Sequence, residues 1–331
     1  MQDSEVKTVL VTGANGFIGS RVCCLLIASG YAIRIICRRT SDLSLLNDVP
    51  HDKFIADITD QKTLTPAVNG VDYIIHLAGL IKAKNQAAFF RANQHGTLCL
   101  LNAVKNHNLD LKKFVLVSSV AASGPSSETP RREDDPPQPI TVYGRSKLAG
   151  EEALRPFYDL FPIAVVRPPA VYGPGDKAIL SLFSTVNRGW RPYLAGGHNR
   201  VQMVFVDDLA RGIKAAMESD RSAGETYYIA ESQAHSVREM IDIMARLLDK
   251  KGVGLYIPRW LAQIIALISE TTAKMSGKAP LFSRDKAREL TAEWRLDVSK
   301  ARDQLDFETA VDFEHGAKIA IDWYRREGWL T

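Results

Sequence analysis

The sequence has few cysteines, no long apolar run and no cluster of like charges, and each shortage excludes a class of protein. The four cysteines among the 331 residues show no CxxC spacing, so neither a zinc site nor a disulfide framework is predicted. All four fall in segments predicted to be buried helix or strand, which favours reduced thiols in a cytoplasmic protein. They are Cys23, Cys24, Cys37 and Cys99.

Charge and hydropathy exclude two kinds of partner. The net charge of +4 is spread along the chain, and its densest basic cluster, Arg38-Arg39, is too short for a nucleic-acid stripe. The longest apolar stretch, residues 261–268, contains Gln263 and is far shorter than a membrane span. We interpret it as a packed helix; the alternatives are an apolar entrance for the substrate or a weak contact with a membrane. We predict no nucleic-acid partner, no metal, no stable membrane insertion and, since the first residues are acidic, no signal peptide.

Short β-branched runs alternate with amphipathic segments of helical length. Such strands, joined by helices, are typical of a parallel sheet covered on both faces. The fold class is therefore α/β, a doubly wound parallel sheet of the Rossmann kind. Strands are predicted at residues 8–11, 32–37, 73–76, 114–117 and 163–166, and helices at 17–29, 86–107 and 143–158.

A glycine-rich turn follows the first predicted strand and opens the first predicted helix. In that context, glycines allow a tight turn, a close approach to pyrophosphate and close packing of helix on strand. The positive helix N-terminus then faces the phosphates. The turn predicts a nicotinamide dinucleotide cofactor, held by Gly13, Asn15, Gly16, Phe17, Ile18 and Gly19.

Beyond about residue 170 the alternation of strand and helix breaks up, and prolines divide shorter segments. We predict a dinucleotide-binding domain over residues 1–170, with its sheet completed by about 201–230. A smaller, interleaved substrate-binding domain is predicted over 171–200 and 231–331. The segment 125–139 is rich in proline, serine and charge, and we interpret it as an exposed, mobile loop able to act as a lid.

The end of the second strand bears on the choice of cofactor. NAD sites usually place an acid there, whereas NADP sites place arginine near the 2′-phosphate. Here Arg38 and Arg39 follow the strand, and the first carboxylate is Asp42. Because a guanidinium binds phosphate bidentately, NADP is favoured over NAD. The alternative is that these arginines only solvate the strand end.

Tyr143 and Lys147 are four residues apart at the start of a predicted helix, and hence lie on one face. A phenol with a pKa of about 10 needs a nearby cation to act as an acid or base at neutral pH. The preceding strand ends at Ser118-Ser119. Since ligands bind beyond the carboxyl ends of parallel strands, these groups are predicted to meet the glycine turn there.

Together these features resemble the extended short-chain dehydrogenase/reductase family, of the NAD-dependent epimerase/dehydratase type, over nearly the whole chain. The matching segments are TGANGFIG at 12–19, DITD at 57–60, HLAG at 76–79, Asn93 with Gly96-Thr97, VSSVAASG at 117–124, YGRSK at 143–147, RPPAVYGPGD at 167–176 and FVDDLA at 205–210.

The resemblance implies that Ser119 holds the substrate oxygen and that Tyr143 exchanges a proton with it. Tyr143 and Lys147 are also implied cofactor residues, and Lys147 is implied to bind the nicotinamide ribose and to lower the pKa of Tyr143. Asn93 is expected to be structural or a water relay within the cofactor site. The further implied cofactor residues are Asp57 and Ile58 at the adenine, Leu77, Ala78 and Gly79 at the middle of the cofactor, and Ser118, Pro168, Ala170 and Val171 near the nicotinamide.

Three other polar residues are expected to be structural. His76, on an apolar strand, is interpreted as a hydrogen-bonded core histidine. Asp207 and Asp208 are interpreted as caps of a helix that rejoins the sheet, because aspartate is a favoured N-cap residue.

The residues beside the motifs indicate which of the family's reactions this chain is expected to catalyse. Dehydratases of the family follow the catalytic hydroxyl with an acid, whereas this chain has Val120-Ala121. Sugar-nucleotide epimerases carry an asparagine at the position of Ala170 and a later arginine; the nearest candidate for that arginine, Arg200, is displaced by one residue. The apolar segment 255–282 resembles dihydroflavonol-reductase and 3β-hydroxysteroid-dehydrogenase relatives, although ordinary core is an equal interpretation.

The sequence therefore predicts reversible hydride transfer between NADP(H) and a carbonyl or secondary alcohol of a moderately apolar small molecule. One alternative is a nucleotide-sugar epimerase with tightly bound cofactor. Another is a cofactor-binding regulator without activity, against which the presence of Ser119, Tyr143 and Lys147 argues. The resemblance also implies a possible homodimer through helices 86–107 and 143–158.

Overall fold

The computed structural model describes residues 6–276 and 282–330. Its strands are β1 (Thr8–Thr12), β2 (Ala32–Cys37), β3 (Asp52–Ile55), β4 (Tyr73–His76), β5 (Lys113–Val117), β6 (Ile163–Arg167), β7 (Ala170–Tyr172), β8 (Trp190–Leu194), β9 (Arg200–Val201), β10 (Met203–Phe205), β11 (Thr226–Tyr228), β12 (His235–Ser236) and β13 (Val253–Ile257). Its helices are α1 (Phe17–Ala28), α2 (Gln61–Val68), α3 (Gln86–Phe90), α4 (Gly96–His107), α5 (Val120–Ser123), α6 (Val142–Glu152), α7 (Leu180–Asn187), α8 (Val206–Glu218), α9 (Val237–Leu247), α10 (Arg259–Ser276), α11 (Arg284–Leu290), α12 (Ser299–Leu305) and α13 (Phe313–Arg326).

Seven parallel strands form the central sheet, in the order β11-β6-β5-β4-β1-β2-β3. The predicted doubly wound α/β fold is confirmed, and each of the five predicted strands lies in this sheet. Strand β3, which the residue pattern did not predict, is an edge strand with three exposed residues of four. An exposed edge lacks the continuous apolar run by which the buried strands were found.

The two faces of the sheet bury separate cores. Alternate residues of β1 point to opposite sides, so that Val9 and Val11 join the core beneath α1 and α8 while Leu10 joins the core beneath α2 and α4. The strand order reverses at β1, whose neighbours are β2 and β4. In sheets of this kind the crevice for ligands opens beyond the carboxyl ends of the strands at that reversal.

The predicted helix 86–107 is present with an irregular centre. Residues Arg91–His95 form a π-helical turn between α3 and α4. Asn93 lies in this turn and is buried. A π turn of this sort is frequent at functional sites, because it redirects a side chain within an otherwise continuous helix.

The chain after β6 builds a third core outside the main sheet. Short strand pairs (β7 with β10, β9 with β12, β8 with β13) replace long strands here. This core packs helices α7, α9 and α13 together, and its largest buried side chains include Tyr172, Phe183, Phe313 and Tyr324.

The segment 125–139 is exposed along much of its length, as predicted, and is held at several points by hydrogen bonds to other parts of the chain. Arg131 N donates to Arg295 O at 2.7 Å, and Asp297 N donates to Arg131 O at 2.8 Å. The Glu133 carboxylate accepts from Tyr228 N at 2.8 Å. These bonds join the segment to β11 and to residues 295–297, and a lid that opens would have to break them.

Two burial predictions are wrong. Cys24 is exposed on α1, whereas the other three cysteines are buried. The apolar stretch 261–268 is helical, but its large apolar side chains other than Leu261 are exposed, and only Ala262 and Ala266 are buried within it. Among the described residues, no helix is both long enough and apolar enough to cross a bilayer.

A buried ion pair fastens α6 to the sheet. Arg167 Nη2 lies 2.6 Å from Glu151 Oε2, its Nε donates to Glu151 Oε1 at 3.0 Å, and both side chains are less than 10% exposed, at 8% and 9%. Arg167 Nη1 also donates to Ser123 Oγ at 3.1 Å. The pair thus joins the end of β6 to α6 and, through Ser123, to the end of α5.

Replacing Glu151 by alanine should lower the free energy of unfolding by about 3–5 kcal/mol, because the guanidinium stays buried without its counter-charge. Denaturant unfolding monitored by circular dichroism measures the loss. Glu152→Ala, at the exposed neighbouring position, is the control and should change stability by about 0.5 kcal/mol or less. Equal effects of the two substitutions would contradict a structural role for the pair.

Candidate active site

The first glycine turn lies directly against the end of β4. Gly13 has φ +72°, and a Cβ built on it would lie 2.8 Å from the backbone nitrogen of Ala78. A Cβ on Gly19 would lie 2.2 Å from Gly13 O. Side chains at these positions would therefore clash with backbone, which accounts for two of the three glycines.

The N-terminus of α1 is open to an anion. Gly16 occupies the N-cap position, and no side chain caps the helix. The first backbone N–H groups of a helix lack partners within it and attract negative charge. The turn and the helix together therefore fit the pyrophosphate of a dinucleotide. Asn15 extends the turn, since its Nδ2 donates to Asp42 O at 3.2 Å.

Phe17 and Ile18 complete the predicted phosphate-binding segment at the first turn of α1. Ile18 packs against the core beneath α1 and α8. A Cβ on Gly175 would lie 3.7 Å from the Phe17 ring, so Phe17 faces the segment that follows β7.

The two arginines after β2 are exposed. Arg38 N donates to Ser41 Oγ at 3.0 Å, which turns the chain directly after the strand. The pKa of Asp57 is lowered, mainly by a backbone hydrogen bond from Thr59 and to a smaller extent by the charges of Arg91 and Arg38. The predicted adenine residue Asp57 and the predicted phosphate residue Arg38 therefore lie close together. Ile58, beside Asp57, packs against the core beneath α2 and α4.

Polar contacts tie the end of β4 to the glycine turn. Thr12 Oγ1 accepts from Ala78 N at 3.1 Å and lies 2.7 Å from His76 Nδ1. His76 Nε2 contacts Thr97 Oγ1 at 3.1 Å. Burial, and to a smaller extent the charge of Lys147, lowers the pKa of His76 to about 3. This neutral, hydrogen-bonded ring confirms the interpretation of His76 as a core residue.

Residues 77–80 cross the crevice beyond β4, and Asn93 holds them. Leu77 packs on the core, whereas Gly79 and Leu80 are exposed. The Asn93 side chain accepts from Leu80 N at 2.8 Å, and its Nδ2 donates to Leu80 O at 3.0 Å and to Ser146 Oγ at 2.9 Å. The structure thus gives Asn93 the structural role that was one of its two predicted roles.

Ser119 and Tyr143 meet at the end of β5. The Ser119 side chain lies near the Tyr143 hydroxyl, since it acts to lower the pKa of that group. Ser119 caps α5, because its Oγ accepts from Ala121 N at 3.2 Å. Thr141 caps α6, because its Oγ1 accepts from Gly144 N at 2.9 Å. The two caps fix the starts of the helices on which the two hydroxyl groups lie.

Lys147 lies beneath this pair, where its Nζ donates to Val117 O at 2.8 Å. Burial lowers the pKa of Lys147 to about 8. Burial raises the pKa of Tyr143 to about 12, against a lowering by the Ser119 hydrogen bond and with a further increase from the charge of Glu289. In the protein alone the net direction is therefore opposite to the lowering that the resemblance implies, because burial outweighs the contact with Ser119.

The remaining predicted cofactor residues lie beside the end of β5. Pro168 O accepts from Val120 N at 3.0 Å. Ala170 and Val171 lie in β7, with Ala170 exposed. Ser118 Oγ is buried without a hydrogen-bond partner among the described residues. An unsatisfied hydroxyl at this point leaves a donor and an acceptor for a ligand.

Comparison with known proteins assigns the family. The profile of the NAD dependent epimerase/dehydratase family matches residues 9–230. The chain belongs to this family. The resemblance read from the motifs is thereby confirmed, and the protein is an NAD(P)-dependent enzyme of the extended short-chain dehydrogenase/reductase type.

Relatives within and around this family differ in what they act on. A ceramide reductase from Caulobacter vibrioides is 28% identical over 326 residues, which cover 97% of this chain and 96% of the relative. Sterol demethylase protein B from Methylococcus capsulatus is 26% identical over 344 residues, covering 98% and 100%. A structure of UDP-glucose 4-epimerase from Thermotoga maritima with UDP-glucose has a TM-score of 0.78 and 24% identity, covering 97% and 99% of the two chains, and shares the fold.

In this member of the family, Asp207 and Asp208 are not helix caps. The N-cap of α8 is Phe205, and both acids lie in the first turn. Asp207 forms a bidentate pair with Arg21, at 2.7 Å for each bond. The Asp208 carboxylate accepts from the backbone nitrogens of residues 310 and 311 at 3.0 and 2.9 Å. The two acids thus fasten α8 to α1 and to the C-terminal chain.

The motifs of the family did not predict the part of the site contributed by α11. Asp285 Oδ2 accepts from Val142 N at 2.8 Å, at the start of the helix that carries Tyr143. Glu289, on the same helix, raises the pKa of Tyr143. About 140 residues separate the two segments, and no local pattern marks such an acid as a partner of the catalytic helix.

The pKa of Lys147 predicts a pH dependence. In the folded protein this pKa is about 8, below the value of about 10.4 for an exposed lysine. Between these two values the unfolded chain binds more protons than the folded one, so stability rises with pH. The difference in unfolding free energy, wild type minus Lys147→Met, should therefore rise by about 1 kcal/mol or more from pH 8 to pH 10.

Denaturant unfolding at several pH values measures this difference. Lys105→Met, at an exposed position on α4, is the matched control and should give a flat difference. A flat difference for Lys147→Met as well would mean that Lys147 is not held in a desolvated position.

Proposed function

We propose that the protein is an NADP(H)-dependent oxidoreductase that transfers a hydride to or from a carbonyl or secondary alcohol of a moderately apolar small molecule. The observation that carries the proposal is the placement of Ser119, Tyr143 and Lys147 together at the carboxyl end of β5, by the caps of α5 and α6 and by the bond from Lys147 Nζ to Val117 O. It lies at the same edge of the sheet as the open N-terminus of α1.

In the proposed reduction, Ser119 and Tyr143 donate hydrogen bonds to the substrate carbonyl oxygen. Tyr143 then transfers its proton to that oxygen, which becomes the hydroxyl of the product. A nicotinamide cofactor held beside these residues would supply the hydride for the carbonyl carbon and be oxidised in exchange. Lys147 orients the ribose and provides a positive charge near the phenol. Oxidation of an alcohol runs through the same groups in reverse.

An apolar substrate is supported by the side chains near Tyr143. The Phe89 and Tyr143 rings lie 6.2 Å apart, and Leu80 and Ile81 are exposed beyond β4. A lining of aromatic and aliphatic side chains favours apolar ligands. Two relatives are named for a ceramide and for a sterol, which is consistent with a substrate of this kind. We propose that the chain after β6 supplies the rest of the substrate site.

A nucleotide-sugar epimerase is the second candidate, because a UDP-glucose 4-epimerase shares the fold. Two observations speak against it. The position of the family's asparagine is Ala170, and Arg200 Nη2 donates to Ala234 O at 2.7 Å. A sugar diphosphate needs several charged donors. Dehydration is not favoured, since Val120 and Ala121, which follow Ser119, are apolar and buried.

NADP is proposed over NAD because of the charges after β2. Arg38 and Arg39 are exposed there, and the first acid, Asp42, accepts a hydrogen bond from Ser44 N at 2.9 Å. Two guanidinium groups can bind a 2′-phosphate, whereas an acid at the strand end would repel it. We further propose a cytoplasmic homodimer, formed through α3, α4 and α6.

The catalytic proposal predicts that Tyr143→Phe lowers kcat by about 10²–10⁴, because the proton donor is lost. Cofactor binding should persist, since the hydroxyl is not a predicted phosphate ligand. NADPH oxidation with a panel of apolar ketones and aldehydes measures kcat, and cofactor titration measures binding. Tyr158→Phe, a partly exposed tyrosine beyond the end of α6, is the control. Unchanged turnover in Tyr143→Phe would exclude the mechanism.

The cofactor proposal predicts that Arg38→Ser raises the KM for NADPH about ten-fold or more and leaves the KM for NADH nearly unchanged. The reason is the loss of charge-assisted hydrogen bonds to the 2′-phosphate. Arg155→Ser, at an exposed position beyond α6, controls for the change in net charge. If the KM values for NADPH and NADH rise equally, Arg38 does not bind the 2′-phosphate.

A further inference from the structure

The helix α10 has its large apolar side chains on the outside. Among the described side chains of this helix, the buried ones are Ala262, Ala266 and Ala273. The outward side chains are 44% to 64% exposed and form what we call the α10 face. They are Trp260, Ile264, Ile265, Leu267 and Ile268. An ordinary surface helix has the opposite arrangement, with large apolar residues turned toward the core.

The α10 face is continuous. Trp260, Ile264 and Ile268 are spaced four residues apart and therefore lie in one row along the helix. Leu267 and Ile265 lie on either side of this row. Exposed apolar patches of this extent mark sites of association rather than random surface. The inner, alanine-rich side allows α10 to pack closely on the protein while the outer side stays free.

Exposed aromatic and apolar side chains continue into the strand that leads to α10. On β13, Val253, Leu255 and Tyr256 are exposed, and Trp190 of the paired strand β8 is 50% exposed opposite Val253. Tryptophan and tyrosine are the side chains that concentrate where a bilayer meets water, because one end of the ring is apolar and the other is polar.

The charges around these side chains are mostly positive. Arg188, Lys250 and Lys251 are exposed at the start of β8 and β13, which lie side by side because Val253 N donates to Gly189 O at 2.9 Å. Arg259 is exposed at the start of α10. One exposed acid, Asp249, precedes the lysines. Anionic headgroups are the complementary surface for such cations.

Glu270, the acidic residue of α10, does not offset the positive charge of these basic residues. Glu270 Oε2 lies 2.9 Å from Arg284 Nε, so its charge is compensated by α11. The same contact links the α10 face to the active site. Arg284 begins α11, and the next residue, Asp285, accepts from Val142 N beside Tyr143. One short helix therefore separates the α10 face from the catalytic tyrosine.

We propose that the α10 face docks on the surface of an anionic lipid bilayer. The helix lies in the plane of the interface, with Trp260, Ile264 and Ile268 among the upper acyl chains and the neighbouring cations at the headgroups. A second copy of the chain fits less well, because a two-fold contact through this face would bring like charges together. The inference does not depend on the proposed reaction, since docking is a property of the surface alone.

The test is co-sedimentation of the full chain with vesicles of phosphatidylcholine alone or with added phosphatidylglycerol. Binding is expected with the anionic vesicles, with a decrease at high ionic strength. Ile268→Gln should lower the partition coefficient about ten-fold, because one large side chain no longer enters the apolar layer. The matched control is Leu109→Gln, since Leu109 is 58% and Ile268 59% exposed; it should bind as the wild type does.

The double variant Lys250→Gln/Lys251→Gln tests the contribution of the positive charges. It should weaken binding to anionic vesicles about ten-fold or more. The same double change at Lys53 and Lys105, which are also exposed, is the control and should have little effect. Thermal unfolding of each variant verifies the fold. The lysine pair keeps the test valid if Ile268→Gln fails to fold.

Three results would overturn the proposal. The first is no binding to anionic vesicles, and the second is equal binding by the face variants and their controls. The third is a dimer, seen by light scattering, that Ile268→Gln converts to a monomer while vesicles are not bound. In each case hydride transfer to substrates in solution would be unaffected, so the proposed function is judged separately by the Tyr143 experiment.

Discussion

The close approach of the first glycine turn to the end of β4 is the constraint on which the site depends. A Cβ at Gly13 would lie 2.8 Å from Ala78 N, and Thr12 Oγ1 accepts from that same nitrogen. The approach is possible only because the sheet order reverses at β1, which makes β4 its neighbour. The open N-terminus of α1 and the residues Ser119 and Tyr143 then lie at the same edge of the sheet.

Burial affects the pKa values of Tyr143 and Lys147 more than contacts with neighbouring groups do. Tyr143 and Lys147 are held on α6, which is fixed by the Thr141 cap at its start and by the Glu151–Arg167 pair at its end. In this position the pKa of the tyrosine is raised to about 12 and that of the lysine lowered to about 8. Both shifts favour the neutral form, so a charge delivered by a bound cofactor would act strongly on the phenol.

The C-terminal part of the chain shapes the site from outside the sheet. Helix α11 contributes Asp285 at the start of α6 and Glu289 near Tyr143, and it is itself joined to α10 by the Glu270–Arg284 pair. Two polar contacts therefore connect α10, through α11, to the helix that carries Tyr143.

The sequence by itself determined five strands of the sheet, the glycine turn and the shared helix face of Tyr143 and Lys147, because each depends on adjacent residues or on a fixed helical spacing. Runs such as Ala32–Cys37 predict a buried strand, and Tyr143 and Lys147 share a face wherever the helix lies. Only the tertiary structure decided the raised pKa of Tyr143, the fastened segment 125–139, the pairing of Asp207 with Arg21 and the outward face of α10. Those properties depend on burial and on partners distant in sequence, and an apolar run such as 261–268 has the same composition whether it faces the core or the solvent.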